Sequence, residues 1–233
     1  MIIQIYSVTK VSDALALCKL GVDNIGVFVS ELNKPWSISP SKAKEIFSAL
    51  PKNIKKILLT PSDDYIEIIN LGRDAKPDIL HIGAHNKEII KDKLEYIKES
   101  LPKNTKIMMS IYVKDENSVK EAVFFSKKVD YILLDTSTVD HPTGGSGTVN
   151  NWVLGGKIVE SVSIPVILAG GLGPENIIEA LNKVHPYGVD SKTKTDLPEG
   201  ATKDLAKVKD FVSKIRKWEK TQSANSLSFG KDS

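Results

Sequence analysis

The chain has 233 residues, 41% hydrophobic and 26% charged, with a formal net charge of +3. This is a globular composition long enough for one barrel-sized domain, and no apolar run approaches the ~20 residues of a membrane-spanning helix. The small, dispersed positive excess argues against a nucleic-acid surface and suits a small anionic ligand.

The opening "MIIQIYSVTK" lacks a basic segment followed by an apolar one and predicts a strand rather than a leader. Apolar runs then recur, each followed by a segment of helical period. They fall at 2–6, 24–29, 54–59, 78–83, 106–113, 130–135, 165–170 and 187–191. Ser39 before Pro40 predicts the start of the second helix, by N-cap and first-turn proline. Cys18, the single cysteine, excludes an internal disulfide and fits a reducing cytoplasm; its apolar neighbours in "ALALCKL" predict a core thiol. Strands apolar nearly throughout are buried on both faces and therefore parallel. Eight such units predict an α/β fold, a single-domain (β/α)8 TIM barrel over 1–218, with an open doubly wound sheet as the rival. Residues 219–233 are polar, lack periodicity and predict a disordered C-terminal tail.

In a barrel of this kind the chemistry lies at the C-terminal ends of the strands. Two glycine clusters fall there: Gly144, Gly145, Ser146 and Gly147 after the sixth strand, and Gly170 and Gly171 after the seventh. Glycine lets backbone N–H groups approach an anion with no Cβ in the way, and a helix N-terminus behind the loop adds partial positive charge. The pattern predicts a phosphate cradle, against the alternative of plain tight turns. Lys192 and Lys194, in "DSKTKTD" after the eighth strand, can add point charges to it.

Asp135 ends the apolar run "YILLD", where an unpaired carboxylate is costly. It reads as a proton-transfer group or as a loop carboxylate. Asp190 ends the last strand and is open to either a structural or a functional role. His81 and Gln4 alternate with apolar neighbours and point to the barrel interior. His141 lies between Asp135 and the glycines, within reach of a ligand. The four histidines show no metal-ligand spacing on one element apart from His81 and His85, which straddle a strand end, so no metal is expected. Only Arg73 and Arg216 are arginines, and both fall away from the strand ends, so a bidentate guanidinium at the site is not expected.

The ordered segments "KLGVDNIGVFV", "YILLDT", "GGSG" followed by "NNW", "VILAGGLGPENI", "YGVD" and "TKDLAKV" resemble the phosphoribosylanthranilate isomerase family of tryptophan biosynthesis, from the first strand to about residue 212. The resemblance implies a (β/α)8 barrel, a phosphorylated small-molecule ligand and no cofactor. The implied reaction is an Amadori rearrangement, the internal aldose-to-ketose isomerisation of a phosphoribosyl amine, driven by a general acid and a general base. It implies Asp135 as the acid and the two glycine clusters as phosphate loops.

The chain also departs from the family pattern. Where the family opens Lys-Ile-Cys-Gly, with the cysteine as base, this chain reads "QIYS", placing Tyr6 in the catalytic position. Tyrosine, with a reference pKa near 10, is a poor base at neutral pH unless strongly perturbed. Trp36 stands where the family has an arginine near the anthranilate, Gly83 where it has a histidine, and Lys194 where it has a glycine of the last phosphate loop. These changes predict a narrower, less cationic pocket around Trp36, His81, His141 and Asp190, with weak or absent anthranilate-ribotide isomerisation. They leave two alternatives to the family reaction: another reaction on a phosphorylated ligand, or non-catalytic binding of one.

Overall fold

The computed structural model describes residues 1–84, 86–135 and 151–229. In chain order the elements are β1 (Ile2–Ile5), α1 (Val11–Lys19), β2 (Asn24–Val29), β3 (Ser37–Ile38), α2 (Pro40–Ala49), β4 (Lys55–Thr60), α3 (Tyr65–Ala75), β5 (Ile79–Ile82), α4 (Lys87–Ser100), β6 (Lys106–Tyr112), α5 (Glu116–Ser126), β7 (Tyr131–Asp135), α6 (Trp152–Ser161), β8 (Val166–Leu168), α7 (Ile177–Val184), β9 (Gly188–Ser191) and α8 (Leu205–Phe229).

The strands are parallel, and the sheet closes because β1 pairs on both sides. Gln4 lies opposite Asn24 of β2, and Ile2 to Ile5 run beside Gly188 to Ser191 of β9. The result is the predicted eight-stranded barrel. β3 was not expected from the sequence. It pairs only with the end of β2, Phe28 opposite Ser37, and so ties down the loop that carries Trp36.

Side chains alternate across each strand, so every strand feeds two cores. Ile3, Ile5, Val27, Leu58, Leu80 and Ile82 belong to the layer between barrel and helices. Tyr6, Ile57, Ile79, Met108, Leu133, Ile167 and Ala169 fill the barrel itself. Gln4 and His81 are buried, as their alternation with apolar neighbours predicted. Asn24 donates to the Gln4 side-chain carbonyl at 3.3 Å. Gly26 is required by Tyr6: a Cβ at Gly26 would collide with the tyrosine ring.

Helix starts follow local chemistry. Ser39 accepts from the Lys42 N–H ahead of Pro40, and Asp64, Asp115 and Asn151 cap α3, α5 and α6 in the same way. Cys18 is half-buried at the edge of the core rather than inside it, because its side chain turns to donate to the Ala14 carbonyl. α8 does not stop at residue 218, where the sequence placed the start of a tail; it continues to Phe229. Glu219 explains the first part of that extension, since it pairs with both the Met1 amino group and Arg216. Arg216 also binds Asp23, and Arg73 donates to the Ser100 carbonyl, so neither arginine lines the cavity described below. Among the described residues no helix is long and apolar enough to cross a membrane.

Candidate active site

The C-terminal ends of the strands surround one cavity, partly open to solvent. β1 and the residues after it supply Tyr6 and Ser7, β5 supplies His81, and β6 supplies Ser110 and Tyr112. Asp135 comes from β7, Gly170 and Gly171 from the turn after β8, and Asp190 from β9. Trp36, Lys192 and Lys194 reach the same space from loops. The structure therefore brings together nine of the fourteen residues singled out in the sequence. Gly144 to Gly147 and His141 lie outside the described residues.

A hydroxyl–imidazole–hydroxyl chain crosses the floor of the cavity. The Tyr6 hydroxyl lies 2.5 Å from Nδ1 of His81, and His81 Nε2 lies 2.7 Å from Oγ of Ser110. A neutral imidazole accepts on one nitrogen and donates from the other, so both ring nitrogens are engaged. Burial depresses the His81 pKa to about 3, which keeps the ring neutral. Burial also pushes the Tyr6 phenol well above its ordinary value, with the nearby Asp190 and Asp135 carboxylates adding to the shift. The perturbation thus runs away from a phenolate base. Ser110 was missed in the sequence; the signal was a single small polar residue at an inward position of "KIMMSIY".

Because His81 titrates lower in the folded chain, its effect on stability has a definite sign. Between pH 6.5 and about 3 the unfolded chain binds a proton on this side chain that the folded chain refuses. Stability from this source is present above pH 6.5 and falls as pH is lowered, by up to about 1.4 kcal/mol per pH unit. Asp190 contributes with the opposite sign, because its folded pKa is raised: its stabilisation is lost as pH rises. Comparing wild type with H81Q cancels the Asp190 contribution to first order. In urea denaturation from about pH 7 to about pH 4, the difference should move steadily against the wild type as pH falls. A pH-independent difference would contradict a neutral, buried His81.

The opposite wall carries a glycine turn and two lysines. Gly170 and Gly171 have φ of 88° and 67°, a left-handed backbone that side-chain-bearing residues rarely adopt. Asn176 fixes this turn, accepting from the Gly173 N–H and donating to the Gly171 carbonyl, each at 2.9 Å. α7 begins directly behind it. Lys194 pairs with Glu175 at 3.1 Å at the mouth. Lys192 lies deeper, 3.2 Å from Asp196, with its ammonium 3.4 Å from the centre of the Trp36 ring. Burial lowers the Lys192 pKa, while Asp196 opposes the shift. Asp196 also binds Lys203, which is fully buried, so one carboxylate anchors two lysines. This Asp196–Lys203 anchor was not foreseen, since its two members are local in sequence but meet only through a tight antiparallel bridge. Among the described residues no group of three or more His, Cys, Asp or Glu side chains could hold a metal ion.

The family model described as N-(5'phosphoribosyl)anthranilate (PRA) isomerase matches residues 3–214. The chain belongs to this family. It is 31% identical over 214 residues to the N-(5'-phosphoribosyl)anthranilate isomerase of Methanocella arvoryzae, covering 92% of this chain and 97% of that one. It is 32% identical to the Bacillus cereus enzyme of the same name, over 94% and 100%. Among solved structures, phosphoribosyl anthranilate isomerase from Thermus thermophilus superposes with a TM-score of 0.78 at 20% identity, covering 93% of this chain and 99% of that one. A phosphoribosyl anthranilate isomerase in complex with reduced 1-(o-carboxyphenylamino)-1-deoxyribulose 5-phosphate gives 0.74 at 21%, over 91% and 97%. At those identities the two structures establish the fold.

Three residues set apart in the sequence from the pattern of the phosphoribosylanthranilate isomerase family have definite partners or backbone states here. Tyr6, in the cysteine position, is committed to His81. Ser7, in the adjoining glycine position, holds a φ of 58°, a conformation that costs a non-glycine residue about 1–2 kcal/mol. Trp36, in the arginine position, is stacked on Lys192, so the positive charge at this wall comes from the opposite loop.

Proposed function

We propose that the chain isomerises a phosphoribosyl amine from aldose to ketose, the reaction of its family, with N-(5'-phosphoribosyl)anthranilate as the substrate to test. The observation that carries this reading is the convergence, in one cavity, of the Asp135 carboxyl, the left-handed Gly170–Gly171 turn and the lysines of the last loop. Asp135 acts as the general acid that assists ring opening. Gly170 and Gly171 hold the phosphate with backbone N–H groups, helped by the dipole of α7; the sequence assigns the same role to Gly144 to Gly147, which lie outside the described residues. Lys192 and Lys194 replace the missing glycine approach with point charges. Tyr6 contributes a neutral hydrogen-bonding hydroxyl. No cofactor, nucleic acid or membrane enters this reading, and the protein works in the cytoplasm.

The Trp36–Lys192 stack favours a second reading, in which the ligand is another phosphorylated small molecule, turned over or merely bound. Expression in a strain lacking the isomerase separates the two. Growth without tryptophan supports the family reaction. Failure to grow, with the protein made and binding ribose 5-phosphate, supports the second reading.

The lysines give a graded expectation. K192A/K194A should weaken ribose 5-phosphate binding by about tenfold per lost contact at low salt, and should flatten the dependence of affinity on ionic strength. Calorimetric titration at two salt concentrations checks both. An unchanged salt dependence would remove the lysines from the phosphate site.

A further inference from the structure

We propose that Asp190 accepts the C2 proton in the isomerisation, the role that no thiol can fill in this chain. The inference rests on the isomerase reading above. Asp190 stands at the end of β9, faces the cavity and is 6% exposed. Its Oδ1 is buried and has no hydrogen-bond partner among the described residues. Leaving a carboxylate oxygen buried and unpaired is costly unless a ligand atom or a proton completes it.

The other groups facing this carboxyl are otherwise engaged. From β1, Tyr6 is hydrogen-bonded to His81 and its phenol is held neutral. His81 has both nitrogens occupied, and with a pKa of about 3 it is too weak a base near neutrality. Lys192 and Lys203, from the loop after β9, are paired with Asp196. Asp135, from β7, is the acid of the proposed reaction. Asp190 is left, and its environment suits it. Burial raises its pKa well above the ordinary carboxylate value, the Gln4 side chain opposes the shift, the negative charge of Asp135 adds to it and Lys203 opposes it. A carboxylate made more basic in this way is a better match to a proton transfer near neutral pH.

The Asp135 carboxyl protonates the ring oxygen as the C1–O bond breaks and the amine lone pair forms C1=N. The Asp190 carboxylate removes the hydrogen from C2. The C–H electrons become the C1=C2 bond, and the C1=N pair returns to nitrogen. The C2 hydroxyl of this enolamine then gives its proton back to Asp135 as C2=O forms, and C1 takes the proton held by Asp190. Both carboxyls end in their starting states.

D190N preserves shape and removes the basic oxygen; D190E keeps the charge and moves it. With N-(5'-phosphoribosyl)anthranilate as substrate, D190N should lower kcat by about 10²–10⁴-fold. Its affinity for the reduced product analogue, read by calorimetry, should stay within about threefold of wild type. The acidic limb of the wild-type kcat/KM profile should vanish from the residual D190N rate and persist, shifted, in D190E. Wild-type turnover in D190N, or an acidic limb that survives there, overturns the assignment. So does a loss of analogue binding as large as the loss of kcat, which would make Asp190 a binding residue only. If the unaltered chain shows no turnover, the isomerase reading itself fails, a result distinct from any of these.

Discussion

Asp135→Asn should abolish most turnover while leaving the ligand bound. The substitution keeps the size of the side chain and removes the proton that assists ring opening, so kcat should fall by about 10²–10⁴-fold. Asp135 ends β7 on the cavity wall, and its charge is felt by Tyr6, Tyr112 and Asp190. Affinity for the reduced product analogue should change little. Steady-state kinetics beside calorimetry checks the split: equal losses in kcat and in binding would take Asp135 out of the chemistry.

Gly171→Leu should have the larger effect on binding. At φ 67° any side chain is strained, by about 1–2 kcal/mol for a non-glycine residue, and in the proposed phosphate site the new Cβ would stand where backbone N–H groups meet a phosphate oxygen. Binding of ribose 5-phosphate, inorganic phosphate and sulfate should all be lost together, because one steric block acts on their shared group. Thermal unfolding of the same variant separates this from misfolding: strain of that size lowers Tm by only a few degrees in a domain of this length. Unchanged affinity would mean that the two glycines make a turn and nothing more.

Much of the barrel was legible because its signals are local. Apolar runs at even spacing place the strands, and Ser39 before Pro40 marks a helix start that the hydrogen bonds then realise. The Gly170–Gly171 pair marks a loop or tight turn by residue type alone, and its left-handed backbone is seen only in the structure. The site was less legible where it depends on partners distant in sequence. Nothing near Tyr6 indicates that its hydroxyl is bound to a histidine 75 positions away. Trp36 appears in the sequence as a lost arginine, and only the closed barrel shows Lys192 against its ring. The polarity of 219–233 suggested a tail because composition does not reveal that Glu219 reaches the Met1 amino group. β3 is two residues long, below the length at which alternation carries information.

The direct test of the whole reading is to give the purified, unaltered chain N-(5'-phosphoribosyl)anthranilate and follow the aldose amine by spectroscopy. The predicted result is enzyme-dependent conversion to the 1-deoxyribulose 5-phosphate product, with no added metal or cofactor, suppressed by the reduced product analogue and lost in D135N. Tight binding of that analogue with no conversion of the substrate would contradict it.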